Sequence, residues 1–268
     1  MMKKNLLFCL VIMFVMLMGY AQSTGKTSSS VSVSNDGKFC QGAATVTDID
    51  GNTYKTVQIG KQCWMRENLR TTRYANGTAI PMGDASSITT AYRYAPAGNS
   101  SNVSKYGYLY NWPAVMHGTD GSFKNPSGVQ GICPDGWHVP SWYEWRELED
   151  YVESQSKYVC GKIESFIAKS LASTEGWTSS DEDCTVGNNP STNNGTGFSA
   201  LPAGIYNYGD NGDYGDYSYF GKTALFWSTS TSMYSVVVNY YKLQYNEYFF
   251  SLVGSYSANG LSVRCLRD

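Results

Sequence analysis

Residues Gly131–Val152, GICPDGWHVPSWYEWRELEDYV, bring together a cysteine, a Pro-Asp-Gly turn, a Trp-His-Val triplet, a proline and one amphipathic helix. Ser141 and Glu144 stand at the S-x-x-E spacing of a capping box, in which each side chain satisfies a backbone N–H at the helix start. Trp145, Leu148 and Val152 follow at i, i+3 and i+7, the spacing of one buried helical face. Glu144 therefore reads as a cap, with Glu147, Glu149 and Asp150 expected on the solvated face. His138, between Trp137 and Val139 in an expected core strand, reads as a hydrogen-bonded structural histidine rather than a base.

Working outward to the start of the chain, residues 1–21 read as a secretory signal peptide. Lys3 and Lys4 form the basic region, Leu6 to Met18 the apolar region, and Gly19-Tyr20-Ala21 a small-residue cleavage site. The apolar run is too short for a good membrane span, and no cysteine follows it closely enough for a lipid anchor. Residues 22–39, beginning QSTGKTSSSVSVSNDGK, are polar and aperiodic, and are expected to be a flexible leader. The folded domain is expected over 40–268. Cleavage would remove two lysines, moving the formal charge from −2 to −4. With no basic cluster to offset it, that balance excludes a nucleic-acid partner from the expectations.

Cleavage also removes Cys9, leaving six cysteines: Cys40, Cys63, Cys133, Cys160, Cys184 and Cys265. An even set in an exported chain implies disulfides, with 15 formal connectivities. Zinc is the competing reading, but no C-x-x-C spacing exists and His117 and His138 are the only histidines. Cys40 and Cys63 flank a hairpin; Cys160 and Cys184 bracket a second helix and its loop. Bracketing thus pairs Cys40–Cys63 and Cys160–Cys184, leaving Cys133–Cys265 to tie the central stretch to the C-terminal segment.

That first hairpin turns through Asp48-Ile49-Asp50-Gly51-Asn52. Its alternating oxygens invite a calcium-loop reading, but the EF-hand glutamate position is Ile59, so a turn is expected. YGYLYNWPAVM (Tyr106–Met116) reads as a strand with alternating core and surface rings, or else as a ring platform for sugars. Ile163, Phe166, Ile167 and Leu171 mark a second short helix. FSALPAG, ALFWSTS, SVVVNYYKLQY, EYFFSLV and LSVRCLRD read as strands of an antiparallel sheet. Between the first two of these, Asp210, Asp213 and Asp216 recur every third residue. They are the best metal candidates, but a solvated loop is the preferred reading and no cofactor is expected; calcium is possible but not favoured. Tyr206, Tyr208, Tyr214, Tyr217 and Tyr219 crowd the same loop, where no strand or helix period orders them, and some of these rings are expected to be exposed for binding.

These blocks resemble the Fibrobacter succinogenes major paralogous domain family of exported bacterial proteins. The blocks are DIDGNTYKTVQIGKQCWMRENLRTTRYANG, YGYLYNWPAV, GICPDGWHVPSWYEW, TGFSALPAG, FWSTS and SVRCLRD, in family order over about residues 45–268. The segments around Cys40, Cys160 and Cys184 are similar to those of members from gut-dwelling Bacteroidetes. The resemblance implies signal-bearing chains, often numerous in one genome and mostly without an assigned activity. WHVPSWYEW and SVRCLRD are also similar, more weakly, to blocks of the sulfatase-modifying enzymes. That likeness implies an α+β, C-type-lectin-like fold with two short helices, antiparallel and mixed strands and long loops, here stapled by disulfides. Those enzymes use a close cysteine pair near the C-terminus; Cys265 is the only cysteine after Cys184, so their chemistry is not carried over.

No G-x-S-x-G, P-loop or dinucleotide motif is present. The expectation is a non-catalytic, secreted or surface-exposed domain recognising glycan or another extracellular ligand. Its alternative is a structural or adhesive component that binds protein, and an uncharacterised hydrolase stands third.

Overall fold

Local turn chemistry builds the first sheet. In the computed structural model, which describes residues 40, 42–209, 215–231 and 237–268, β1 (Thr45–Thr47) and β2 (Thr53–Ile59) pair antiparallel across the Asp48–Asn52 turn. The Asp48 carboxylate closes that turn. It accepts hydrogen bonds from the Asp50 and Asn52 N–H groups at 3.0 and 2.9 Å, and from the Tyr54 hydroxyl at 2.6 Å. Asp50 turns the other way and accepts from Thr72 and, at 2.7 Å, from Arg73 Nε. Both carboxylates are thus used by the backbone they shape. The chain returns at Gly60 as β3 (Gln62–Met65). A side chain at Gly60 would press on the Tyr151 ring at 2.9 Å, and its φ of +59° favours glycine.

A connecting layer follows. β4 (Arg93–Tyr94), α1 (Val103–Tyr106), β5 (Leu109–Tyr110) and α2 (Trp112–Met116) are all short, and β4 pairs with β5. The single strand expected over Tyr106–Met116 is therefore corrected. Gly107, at φ +74°, ends α1, and Asn111 then caps α2, accepting from the Ala114 N–H with Pro113 in the first turn. Asn followed closely by Pro is a helix-start signal in its own right.

The stretch that opened the sequence forms β6 (Trp137–His138) and α3 (Trp142–Glu153) with both halves of the capping box in place. Trp145, Leu148 and Val152 are fully buried. Trp145 lies 4.5 Å from the Trp64 ring of β3 on one side, and 5.8 and 5.4 Å from Phe226 and Tyr241 on another. The second helix is confined to α4 (Ala168–Leu171). Gly161 and Lys162 have positive φ, which breaks a helix, and Ile163 is exposed rather than part of a buried face.

The remaining strands are β7 (Ile205–Asn207), β8 (Asp216–Ser218), β9 (Thr223–Thr231), β10 (Val237–Gln244), β11 (Ser251–Tyr256) and β12 (Leu266–Arg267). FSALPAG is not a strand: Ser199 sits at φ +57° and Pro202 lacks an N–H, so regular pairing begins only at Ile205. β9, β10 and β11 form an antiparallel sheet in the order β11-β10-β9, and β7 pairs with β8. The last strand returns to the first sheet, whose order is β1-β2-β3-β12-β6. The described chain is thus α+β, with short helices, antiparallel sheets and disulfides.

The return of β12 is held by two polar clusters and a crosslink. The buried Arg264 guanidinium donates to Asn68 Oδ1 at 2.8 Å and to the carbonyls of Met65, Phe198 and Ser199 at 2.6–3.0 Å, between the Phe198 and Phe226 rings. Burial lowers its pKa to about 9, so it stays charged at neutral pH. His138 lies between two carboxylates, Nδ1 2.6 Å from Asp268 and Nε2 2.7 Å from Glu144. Glu144 Oε2 also accepts from the Ser141 and Ser127 N–H groups. Disulfides join Cys40 to Cys63, Cys133 to Cys265 and Cys160 to Cys184, the same pairs that bracketing produces. Cys133 and Cys265 are fully buried.

Candidate functional site

Along β10 the residues alternate in destination. Tyr241 and Leu243 are buried toward α3, while Tyr240, Lys242 and Gln244 face the other way. Pairing sets Thr223 opposite Gln244, Leu225 opposite Lys242 and Trp227 opposite Tyr240. Thr223, Leu225, Tyr240, Lys242 and Gln244 thus form the floor of a groove of about 640 Å³. Ile205 and Asn207 of β7, Tyr219 after β8, and Ser255, Tyr256 and Asn259 line its sides.

The walls are set by local hydrogen bonds. Tyr219 adopts φ +60°, and its carbonyl accepts from the N–H groups of Lys222 and Thr223, which turns its ring outward with 60% of the residue exposed. Tyr256, at the end of β11, is 59% exposed. Asn259 is oriented by the Tyr208 N–H, which donates to its Oδ1, and by its own Nδ2, which donates to Ser255 Oγ at 2.7 Å. Asn207 Nδ2 donates to Ser218 Oγ at 3.0 Å. Lys242, the one charged lining residue among those described, has its Nζ 3.0 Å from Glu247. Burial, with the Glu247 charge adding to it, raises the Tyr240 pKa, which keeps that hydroxyl protonated. On the floor, Thr223 Oγ1 is buried and has no hydrogen-bond partner. A stranded buried hydroxyl costs about 1–3 kcal/mol, which a bound hydrogen-bonding group would recover.

The tyrosines singled out from sequence separate into distinct environments. Tyr219 lines the groove, and Tyr208 is half-buried with its ring 6.2 Å from Tyr256. Tyr206, only 3% exposed, stacks on Tyr94 at 3.9 Å, and its hydroxyl accepts from the Gly215 N–H. Tyr217 pairs opposite it and packs edge-on, half-buried. The expectation that no strand orders these rings is corrected by the β7–β8 hairpin, which fixes the Tyr206–Tyr217 pair. Tyr214, Asp210 and Asp213 lie outside the described residues. Asp216 is exposed on β8, and among the described residues no group of three or more His, Cys, Asp or Glu side chains is placed to hold a metal ion. Tyr240, Tyr256, Thr223 and the groove amides escaped the sequence reading. The polar period-two run Tyr240, Lys242, Gln244 was the available signal for them.

Elsewhere, titratable groups serve the fold. Burial pulls the His138 pKa down, but the hydrogen bonds and charges of Glu144 and Asp268 outweigh it and hold the value above that of an ordinary histidine. Glu149, expected on the solvated face of α3, is instead largely covered, with its side chain 15% exposed and Arg146 3.3 Å away. Burial raises it from 4.5 to about 7; Arg146 opposes the shift, and Glu153 and Asp150 add to it. Among the described residues no helix is long and apolar enough to cross a membrane. A family model described as the Fibrobacter succinogenes major domain matches residues 57–267. No curated protein and no solved structure matches.

Proposed function

The chain belongs to the Fibrobacter succinogenes major domain family, and from that premise we propose that it is an exported, non-catalytic binding domain that recognises a glycan in the groove between the β7–β8 hairpin and the β9–β11 sheet. One observation carries this reading: exposed tyrosine rings and oriented side-chain amides line the same groove. Ring faces accept sugar C–H groups, and amides match ring hydroxyls that both donate and accept. Among the described residues the lining holds no carboxylate, imidazole or cysteine that could form a nucleophile-and-base pair. The three disulfides suit an oxidising, extracellular compartment, as the signal-like residues 1–21 do. We read the architecture as C-type-lectin-like, with the groove on the loop-bearing side of its second sheet.

Glycan-array screening of the purified protein, repeated with Tyr219→Ala plus Tyr256→Ala, tests this. Binding should weaken by about 1–2 kcal/mol or more in the double variant. An unaltered binding profile in that variant would remove the groove from consideration. A second reading, protein adhesion, is favoured by the free edge of β11, where Leu252 and nearby Phe249 are exposed. It predicts binding that survives the tyrosine changes and is lost on Leu252→Lys.

A further inference from the structure

We infer that the groove takes an uncharged glycan and that Thr223, on its floor, is the residue that selects it; this rests on the groove being the glycan site. The argument starts from charge. Among the described residues Lys242 is the only ionic lining group, and its ammonium is already held by Glu247 at 3.0 Å and by Gln244 Oε1 at 3.3 Å. An acidic sugar would have to break that pair or lie in the groove without a counter-charge, and an unpaired desolvated charge is strongly disfavoured. The remaining polar lining groups are amides and hydroxyls, with Tyr240 held in its protonated form. They complement neutral hydroxyls and offer nothing specific to a carboxylate or sulfate.

The second strand of the argument is the orphaned hydroxyl. Thr223 lies next to the amide of Gln244 in the sheet register, and its Oγ1 is buried without a partner. A site that buries an unmatched hydroxyl discriminates strongly for ligands able to hydrogen-bond it, because any other occupant leaves it stranded. Oγ1 is closed to solvent in the empty groove, so a sugar hydroxyl seated on the floor completes it once the Thr223 side chain turns toward the ligand. Thr223 is then a specificity residue, while the tyrosine rings supply the contact area.

The test uses an array of neutral hexose oligosaccharides (glucans, mannans, galactans) alongside uronate-, sialate- and sulfate-bearing ones. Calorimetry then follows with the strongest binder on the wild-type protein, Thr223→Val and the Tyr219→Ala plus Tyr256→Ala variant. The expected result is binding to neutral oligosaccharides only. Thr223→Val should keep or raise the melting temperature, because it removes an unpaired buried hydroxyl, yet lose about tenfold in affinity. Unchanged affinity in Thr223→Val, with loss in the tyrosine variant, overturns the role of Thr223 and leaves the groove as the site. Preference for acidic oligosaccharides overturns the uncharged ligand. Binding that ignores the tyrosine variant, or no binding across the array, overturns the groove reading and this inference with it.

Discussion

Around Arg264 and His138, every nitrogen of the two side chains has a hydrogen-bond partner in a fully packed setting, whereas on the floor of the groove the Thr223 hydroxyl has none. Both regions bury polar groups, and both draw residues from distant parts of the chain. In the first, carbonyls satisfy the buried guanidinium and two carboxylates the imidazole, so the cluster holds strands together. In the second, the Tyr219 and Tyr256 rings stay exposed and, among the described residues, the Thr223 hydroxyl stays unmatched. The contrast teaches that burying a polar group and satisfying it are separate matters, and that the same fold does both in one region and only the first in the other.

The sharpest way to break the comparison is to remove the crosslink beneath the Arg264 cluster. Replacing Cys133 and Cys265 together by alanine opens a loop spanning 132 residues and should lower stability by roughly 5 kcal/mol in the chain-entropy model, read by urea unfolding. Next, Arg264→Met takes the guanidinium from three carbonyls and from Asn68 Oδ1 and should lose roughly 3–4 kcal/mol. A loss under about 0.5 kcal/mol, the level of an ordinary surface change, would show that the cluster is not what holds β12.

pH sharpens the comparison further. The raised His138 pKa contributes stability that is fully present below about 6.5, the unfolded value, and is lost as pH rises through the folded value. Glu149, raised from 4.5 to about 7, acts in the same sense, because its stabilising proton is given up across that window. Melting temperature should therefore fall from pH 5 toward pH 9. His138→Gln should flatten the upper part of that slope. Glu149→Gln should raise the melting point at pH 8 by roughly 2–4 °C and leave it unchanged at pH 4. A wild-type profile flat across this range would contradict both assignments. The smallest effect belongs to the groove: Tyr219→Ala with Tyr256→Ala should move stability by no more than about 0.5 kcal/mol while altering binding. A large stability loss there would make these rings structural.

The first region was largely legible in sequence. A capping box and a three-residue apolar face define α3, and bracketing orders the cysteines. Those signals are local, so they survive without knowledge of the fold. What sequence did not show is that Leu266–Arg267 enters between β3 and β6, because two residues carry no periodicity of their own. The groove was harder still. Its residues come from separate segments between Ile205 and Asn259, and whether a tyrosine is wall or core depends on a register fixed only by pairing. Tyrosine density pointed to the β7–β8 hairpin, but Tyr206 is spent on packing against Tyr94, and only Tyr219 of that set reaches the groove lining among the described residues.

The position of β12 also governs timing. Residues 264–268 come after every other strand of the first sheet in the chain, so β3 and β6 stay unjoined until this segment docks between them. Such exposed edges are prone to wrong pairing and slow to find distant partners. Only when residues 264–268 dock can β12 join the two, the guanidinium reach its carbonyls, and His138 meet Asp268. Removing residues 264–268 would therefore abolish all three contacts at once and leave β3 and β6 without the strand that joins them.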